Sequence, residues 1–398
     1  MSLKIIIKSL SALFASMAFL FAGNALIISS AAIILKNSGM SEIEIGFISS
    51  CFFIGGLIST ISAHRLISKV GHIRSFGIFS AIFAISAMFH MISENTYFWA
   101  FLRIMIGICY YGLLMVIESW LNERAKNEIR SRVLSFYEIV FYTSFGIGVL
   151  IIALNLDKYT IFIISTSFIM FSSLPLNFVK IKEPRLPKPT KVSIPKIFDI
   201  APLAIITSLI AGMLINGFSS MGAVFIILQN IDPTHASYFI FCAIAGGFIS
   251  QFFVGAISDK LGRKFAIIMC ASIGFFVTLL FLLFNLNFYI QCALALFLGT
   301  GIFCLYALSL ARANDMLEDK TKSVEVGRGI LFCYSFGSLI SPILLGILME
   351  KFDYNGFMWF YAICLLFLIL FSINKPNILK KNKLKKNPGN MVILNNDQ

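Results

Sequence analysis

A short charged stretch between two long apolar segments is the first candidate for chemistry in this sequence. The stretch GAISDKLGRKF runs from Gly255 to Phe265. Its charged residues are Asp259, Lys260, Arg263 and Lys264. The carboxylate can face the partial positive charge of a helix N-terminus, and the cations can pair with carboxylates or lipid phosphates. Such contacts can form in one conformation of the protein and break in another. The stretch is therefore predicted to act as a gate. The alternative is that the cations only anchor a loop at the membrane surface.

Polar residues inside apolar segments are the second group of candidates, because an ionisable group at membrane depth is costly. Arg103 lies roughly 9 Å into one segment at about 1.5 Å per helical residue, and Asn24 lies about as deep in another. A contact between them is a candidate for substrate or proton coupling, with an outward-snorkelling arginine as the alternative. Glu138 is predicted to be a protonatable coupling group or a partner for nearby arginines. Glu118 is predicted to be a gate partner for the basic residues near it.

Enzyme and metal chemistry have no comparable support in the sequence. The eight cysteines include no CxxC pair and the four histidines are scattered, so no metal site is expected. No P-loop, paired carboxylates or Ser-His-Asp set stands out. We therefore expect no metal, no cofactor and no enzymatic activity.

The elements that must position these residues are predicted to be membrane-spanning helices. Only 13% of the 398 residues are charged, whereas soluble domains average about 25%. A span takes about 20 apolar helical residues. Twelve such segments are present, at residues 9–35, 45–63, 75–93, 97–120, 133–154, 160–180, 200–229, 236–257, 265–285, 288–310, 328–349 and 356–374. The first exceeds the roughly 7–15 residues of a signal-peptide core, so it is predicted to be an uncleaved span.

The basic residues fall almost entirely on one side of the predicted spans. Of the 32 lysines and arginines, 28 lie on the side of both termini, three lie on the other side, and Arg103 lies within a span. This asymmetry predicts a multi-pass protein of the cell (inner) membrane with both termini in the cytoplasm. The net charge of +13 then has anionic lipid headgroups as its expected partners, rather than nucleic acid.

The sequence contains a weak internal repeat at an offset of 191 residues. Gly55-Gly56 aligns with Gly246-Gly247, and Gly71 aligns with Gly262. The predicted fold class is an all-α integral membrane protein with twelve transmembrane helices in two pseudo-symmetric six-helix bundles. The predicted domains are an N-terminal bundle (1–180), a cytoplasmic linker with four prolines (181–199), a C-terminal bundle (200–375) and a disordered cytoplasmic tail (376–398).

The charged stretch resembles the signature loop of the major facilitator superfamily, of pattern G-x-x-x-D-[RK]-x-G-[RK]-[RK]. Every position of this pattern is filled, by Gly255, Asp259, Lys260, Gly262, Arg263 and Lys264. The first-half copy departs from the pattern, with His64 at the first glycine position and Ser68 at the aspartate position, which weakens the expectation of a gate there. Three longer stretches, 112–140, 246–264 and 331–346, resemble the YcaD-type branch, whose transporters have no defined substrate.

This resemblance implies the major facilitator fold, in which spans 1, 4, 7 and 10 line a central cavity. It also implies that Asp259 faces the start of span 11, near residues 327–329. The cavity candidates from these spans, beside Asn24 and Arg103, are Tyr110, Tyr111, Asn216, Gln291 and Tyr306. The alternative for each of them is a contact that holds packed helices together.

The resulting hypothesis is a monomeric secondary active transporter that moves a small organic solute by alternating access. Protons are the candidate coupling ion, and efflux is slightly preferred because most cavity candidates are aromatic and neutral. The alternative is a sensor or lipid-handling membrane protein on the same fold, to which the altered first-half loop gives some support.

Overall fold

The structure is a computed structural model that describes residues 3–124, 130–178, 201–317 and 323–376, and every regular element in these ranges is a helix. Twelve helical stretches are long and apolar enough to cross a membrane, as the sequence predicts. The predicted linker, and the tail from residue 377 onward, lie outside the described residues.

The helices follow one another with short connections, and each predicted span has its counterpart. Spans 1 to 6 are formed by Leu3–Asn37, Glu42–Val70, His72–Phe89, Thr96–Arg124, Arg130–Leu150 and Lys158–Phe178. A 3-10 turn, Ile151–Leu154, extends span 5. Spans 7, 8, 9, 11 and 12 are formed by Pro202–Leu228, His235–Leu261, Arg263–Leu283, Ser323–Phe352 and Asn355–Ile373.

Span 10 is longer than the sequence predicts. It consists of two helices, Phe288–Ile302 and Leu305–Met316, whereas the predicted span ends at residue 310 and leaves Arg312 in a loop. The structure buries Arg312, and its guanidinium donates a hydrogen bond to the carbonyl of Pro376 at 2.8 Å. The assignment of Arg312 to a loop is therefore wrong. A charged residue ends an apolar run in the sequence even where packing and a backbone acceptor let the helix continue.

Each half of the chain packs as a bundle around close helix pairs. Spans 2 and 4 pack together in the first half, and spans 8 and 10 pack together in the second. Gly55 and Gly246 occupy matching positions in these pairs, because a Cβ at either site would overlap the carbonyl oxygen of Ile104 or Leu296. Glycine permits this approach of two helix backbones. The repeat in the sequence therefore reflects the same helix crossing in both bundles.

The repeat also ends spans 2 and 8 in the same way. Gly71 and Gly262 have φ angles of 90° and 92°, and the next helix begins directly after each of them. Residues other than glycine adopt this backbone conformation only with strain. Both bundles thus make the same sharp turn at one surface of the protein. We call this surface the basic end, because it carries the charged stretch, and we call the other surface the opposite end.

The two bundles meet along spans 2 and 11, spans 5 and 8, and spans 1 and 7. Toward the opposite end, Gly46 of span 2 and Gly346 of span 11 each lie against the backbone of the other helix. Near mid-depth, Gln251 of span 8 donates a hydrogen bond to the hydroxyl of Tyr142 of span 5 at 3.1 Å. Close packing between the bundles is therefore present from the middle of the spans to the opposite end.

Candidate functional site

Tyrosines from both bundles face one another near the middle of the spans. We call six of them the tyrosine cluster: Tyr110, Tyr111, Tyr137 and Tyr142 from the first bundle, and Tyr306 and Tyr334 from the second. The rings of Tyr306 and Tyr334 are 4.7 Å apart, and Tyr334 lies within electrostatic range of Tyr110 and Tyr111. Tyr142 packs against Phe303 of span 10 with ring centroids 6.3 Å apart. The cluster therefore crosses the interface between the bundles.

Amide side chains lie beside the hydroxyl groups of this cluster. Asn216 donates a hydrogen bond to the hydroxyl of Ser338 at 2.7 Å and also lies beside Tyr334. Asn24 lies beside Tyr110 and is only 1% exposed. In the described part of the chain its Oδ1 oxygen has no hydrogen-bond partner. Such an unpaired buried acceptor is uncommon in native structures, and an ordered water or an ion is among its ordinary explanations.

Two carboxylates lie on the basic-end side of the tyrosine cluster. Glu118 of span 4 lies within electrostatic range of Tyr306, and Glu138 of span 5 lies within range of Cys304, so both face span 10 of the other bundle. Both glutamates are nevertheless exposed. Among the residues whose side chains the structure describes, neither glutamate forms a salt bridge. Exposed carboxylates that face the opposite bundle indicate an open space between the bundles on this side.

The charged stretch forms an ion-pair network inside the second bundle. Arg263 contacts the carboxylate of Asp259 at 2.8 Å and that of Asp315, in span 10, at 2.9 Å. It also donates a hydrogen bond to the hydroxyl of Ser258 at 2.8 Å. The described ion-pair partner of Asp259 is therefore Arg263, and the implied approach of Asp259 to the start of span 11 stays a prediction. Asp315 provides the second carboxylate, which the sequence analysis did not select.

The other residues of the charged stretch have different surroundings. Lys264 donates a hydrogen bond to the carbonyl of Ile373 at the end of span 12, at 2.6 Å, and Lys260 is exposed. Gly262 forms the turn. Gly255 is exposed, and a Cβ there would meet nothing within 4 Å. No other backbone of the described residues approaches Gly255 closely, because this residue lies on an outward face of its helix.

Arg103 lies away from the tyrosine cluster, toward the opposite end. It is 3% exposed, donates a hydrogen bond to the carbonyl of Ile27 at 3.3 Å, and lies 5.9 Å from the ring of Trp99. It thus contacts span 1, as the sequence analysis expects, but through the backbone of Ile27 one turn beyond Asn24. This hydrogen bond to Ile27 takes the place of the expected contact between Arg103 and Asn24, and Asn24 lies beside Tyr110 instead.

Gln291 does not join the cluster either. It donates hydrogen bonds to the side-chain oxygen of Gln229 at 2.8 Å and to the carbonyl of Leu286 at 3.0 Å. Both contacts lie at the opposite end, where Gln291 lines a cavity of 630 Å³ within the second bundle. Its place in the first turn of span 10 fixes this depth, so membership of a cavity-lining span does not by itself bring a residue to the central cavity.

Comparison with known proteins identifies the family. The sequence model of the Major Facilitator Superfamily matches residues 13–324 and 230–395. This chain belongs to the Major Facilitator Superfamily. The twelve spans, the two pseudo-symmetric bundles and the charged turn between spans 8 and 9 are the features of the structure that agree with this assignment.

Curated members of the superfamily match most of the chain, and both of the following are named as uncharacterized MFS-type transporters. YcaD from Escherichia fergusonii is 22% identical over 352 residues, which cover 88% of this chain and 88% of that relative. Ent638_1421 from Enterobacter sp. strain 638 is 24% identical over 315 residues, which cover 78% of this chain and 81% of that relative. These matches confirm the predicted resemblance to the YcaD-type branch.

Solved structures of transporters share the fold. The nucleoside transporter NupG has a TM-score of 0.74 at 13% identity, covering 94% of this chain and 98% of NupG. A bacterial homologue of the human lysosomal transporter Spinster, in an inward-facing and occupied conformation, has a TM-score of 0.65 at 13% identity, covering 92% and 94%. At these identities the likeness establishes the major facilitator fold. Together with the family match, it identifies the protein as a membrane transporter.

Several residues of the site in this superfamily member were missed in the sequence analysis. They are Tyr137 and Tyr142 in span 5, Gln251 in span 8 and Tyr334 in span 11. Tyr137 and Tyr334 lie within the stretches that resemble the YcaD-type branch, which was the available signal. They were passed over because only spans 1, 4, 7 and 10 were expected to line the cavity. Within the described residues, no group of His, Cys, Asp and Glu fits a metal ion.

Proposed function

We propose that this transporter is a secondary active carrier of a small organic solute and works by alternating access. The observation that carries the proposal is the asymmetry of the space between the bundles. Gly46 and Gly346 pack against facing backbones at the opposite end, whereas Glu118 and Glu138 are exposed on the basic-end side of the tyrosine cluster. A site that is closed on one side and open on the other is what an alternating-access carrier requires.

In the proposed orientation the protein spans the cell (inner) membrane, and its basic end lies on the cytoplasmic side. It is supported by the 28 of 32 lysines and arginines on the side of both predicted termini. In this orientation the present conformation opens to the cytoplasm and is packed on the outside. Epitope tags at both termini test the orientation in intact cells. Both should be protected from an impermeant reagent until the membrane is permeabilised, and labelling of one tag alone before that step would refute it.

The return to an outward-open conformation is proposed to need two changes. Spans 2 and 11 must part at the opposite end, where helix backbones touch through glycines and are held by van der Waals contact. The bundles must also close at the basic end, where the charged stretch lies. There Arg263, the first residue of span 9, pairs with Asp259 of span 8 and Asp315 of span 10, so these three helices are proposed to move as one body. Glu118 is the proposed partner from the first bundle when that end closes.

Proton coupling is proposed to use the exposed carboxylates. Glu138 is the preferred proton acceptor, because it faces the other bundle beside Tyr142 and Cys304. Arg103 is proposed to tie the movement of span 4 to span 1 through its hydrogen bond to Ile27. We prefer efflux as the direction, because the site is open on the side that the charge count assigns to the cytoplasm.

The test begins with a thermal-shift screen of the purified full-length protein against metabolites and drugs. A ligand at 100 times its Kd stabilises the folded protein by about 2.7 kcal/mol, which is readily measured. Ligands that stabilise the protein are then labelled and followed across proteoliposomes with and without an imposed pH gradient. We expect flux that responds to the gradient. Flux without any response would remove proton coupling, and binding without flux would favour a sensor or lipid-handling protein.

A further inference from the structure

We propose that the solute is an organic cation with aromatic or other apolar groups, held between the tyrosine cluster and the carboxylates of Glu118 and Glu138. This inference rests on the proposed carrier function, since it names the cargo of the same site. Binding of a cation can nevertheless be measured without transport. The two proposals can therefore fail separately.

The charge of the site is the first reason. Glu118 lies near Tyr137 and Tyr306, and Glu138 lies near Tyr142 and Cys304, so the groups described around both carboxylates carry no positive charge. Described cations of these and neighbouring spans contact other groups, and Arg312 of span 10 donates a hydrogen bond to the carbonyl of Pro376. Arg103 is bonded to span 1 toward the opposite end, and Arg263 is paired with Asp259 and Asp315.

The aromatic rings are the second reason. The cluster brings six tyrosine rings to the interface, and Phe248 and Phe303 pack against Tyr142 with ring centroids 5.6 and 6.3 Å away. The face of an aromatic ring attracts a cation through its quadrupole, and this attraction grows when both groups leave water. The same faces bind apolar groups of the solute. Rings that lie near two carboxylates therefore suit a cation with apolar groups better than a small hydrated ion.

The unpaired buried acceptor is the third reason. The Oδ1 oxygen of Asn24 has no partner in the described part of the chain and lies beside Tyr110 of the cluster. A carbonyl oxygen accepts hydrogen bonds and has no capacity to donate them, so it can be satisfied by the N–H of a protonated amine. Asn24 thus adds an acceptor at the inner side of the cluster.

Other solute classes fit the same residues less well. An anion would face two carboxylates and no described cation. A neutral polyhydroxylated solute could donate hydrogen bonds to the carboxylates but would bring no opposite charge, and the nearby amide donors of Asn216 and Gln251 are already bonded to Ser338 and to the hydroxyl of Tyr142. Breaking such bonds to bind the solute would leave buried polar groups unpaired, which costs affinity.

The binding experiment uses two probes of the same shape and opposite charge. Tetraphenylphosphonium is the cation and tetraphenylborate is the anion, and both present four phenyl rings. We expect saturable binding of the cation to the purified full-length protein, and binding of the anion that is weaker by about tenfold or more, because each carboxylate attracts one and repels the other. Equal binding of the two probes would show a merely apolar site and would overturn the proposal.

Variants of the two carboxylates locate the binding. Glu138→Gln and Glu118→Gln should each weaken binding of the cation by about tenfold, through the loss of one nearby charge. Glu350→Gln is the matched control, because Glu350 is an exposed glutamate near the opposite end of span 11. Size-exclusion profiles and thermal unfolding of each variant exclude misfolding. If Glu138→Gln and Glu118→Gln both bind the cation as tightly as the unchanged protein does, the carboxylates do not bind it and the proposal is refuted.

A tyrosine pair separates the ring face from the hydroxyl group. Tyr306→Leu removes the ring and should bind tetraphenylphosphonium about threefold more weakly than Tyr306→Phe, which keeps the ring face and loses only the hydroxyl group. Flux of a slowly permeating cation, benzyltrimethylammonium, then tests cargo and carrier together. If a cation binds through Glu138 but is not transported, the proposed cation site stands and the proposed carrier function is refuted. If the protein transports a neutral solute but binds no cation, the carrier function stands and the cation site is refuted.

Discussion

The turn between spans 2 and 3 and the turn between spans 8 and 9 share a backbone but differ in charge chemistry. Gly71 and Gly262 adopt φ angles of 90° and 92° at the two turns. In the second bundle, Arg263 follows the turn and joins two carboxylates. In the first bundle the equivalent residue is the fully buried His72. Ser68, at the position of Asp259, donates its hydroxyl to the carbonyl of Arg65 in its own helix at 3.0 Å.

The difference shows that the repeat conserves the shape of a bundle more strictly than its polar contacts. At a helix crossing or in a tight turn only glycine fits without steric overlap or strain, and this requirement depends on the path of the backbone. An ion pair needs only that two charges approach, so it can be present in one bundle and replaced in the other. Among the described residues, the network of Arg263 joins spans 8, 9 and 10 at the basic end.

The strongest test of the shared shape is to add a Cβ atom at the glycine of each helix crossing. Gly246→Ala and Gly55→Ala should each destabilise the protein by about 3 kcal/mol or more, because the added Cβ overlaps a backbone carbonyl that cannot move aside. Thermal unfolding and yield of folded protein measure the effect. Gly255→Ala is the control and should be nearly neutral, since its Cβ meets open space. Tolerance of the change at Gly55 alone would break the equivalence of the crossings.

Substitution at the turns should have the next largest effect, and it should be equal in the two halves. Gly71→Ala and Gly262→Ala each force a side chain into a backbone conformation that costs about 1–3 kcal/mol. The midpoints of thermal unfolding should fall by similar amounts. Gly77→Ala lies in the adjacent helix with free space around it and should not destabilise the protein. A large drop at only one turn would mean that the bundles use their turns differently.

Removal of the ion pairs should have a smaller effect and should sharpen the contrast between the halves. Asp315→Asn and Asp259→Asn should each lower stability by about 0.2–1 kcal/mol, as expected for exposed or half-exposed pairs. The larger loss is expected for Asp315, whose side chain is 24% exposed against 53% for Asp259. The loss should shrink at high salt, because ions screen such pairs. Unfolding curves at two salt concentrations measure this, and a loss that is independent of salt would contradict it.

The smallest effect is expected at the first-half counterpart. Ser68→Ala removes a half-buried hydroxyl whose described hydrogen bond stays within its own helix, so stability should change by no more than about 0.5 kcal/mol. The response should not depend on salt. A salt-dependent loss in this variant would reveal a charged contact at the first turn and would make the two turns alike after all.

Much of the fold could be predicted because spans and turns depend on local properties. The twelve spans follow from apolar length, and the turn at Gly262 follows from a glycine among charges. The site was predicted less completely. Tyr110, Tyr111 and Tyr306 do lie in the tyrosine cluster, whereas Gln291 lies at the opposite end and Tyr334 was missed. The depth and direction of a side chain depend on how far its helix is shifted and rotated, and no local pattern reports either.

The sequence by itself determined twelve membrane spans in two related halves, and it predicts that the basic residues lie on one side. These properties are sums over neighbouring residues, and lipid acts on each segment separately. Only the tertiary structure decided that Arg312 is buried, that Arg263 joins Asp259 to Asp315, and that two exposed carboxylates lie close to span 10 of the other bundle. These contacts join residues that are far apart along the chain, and they exist only once the helices have packed.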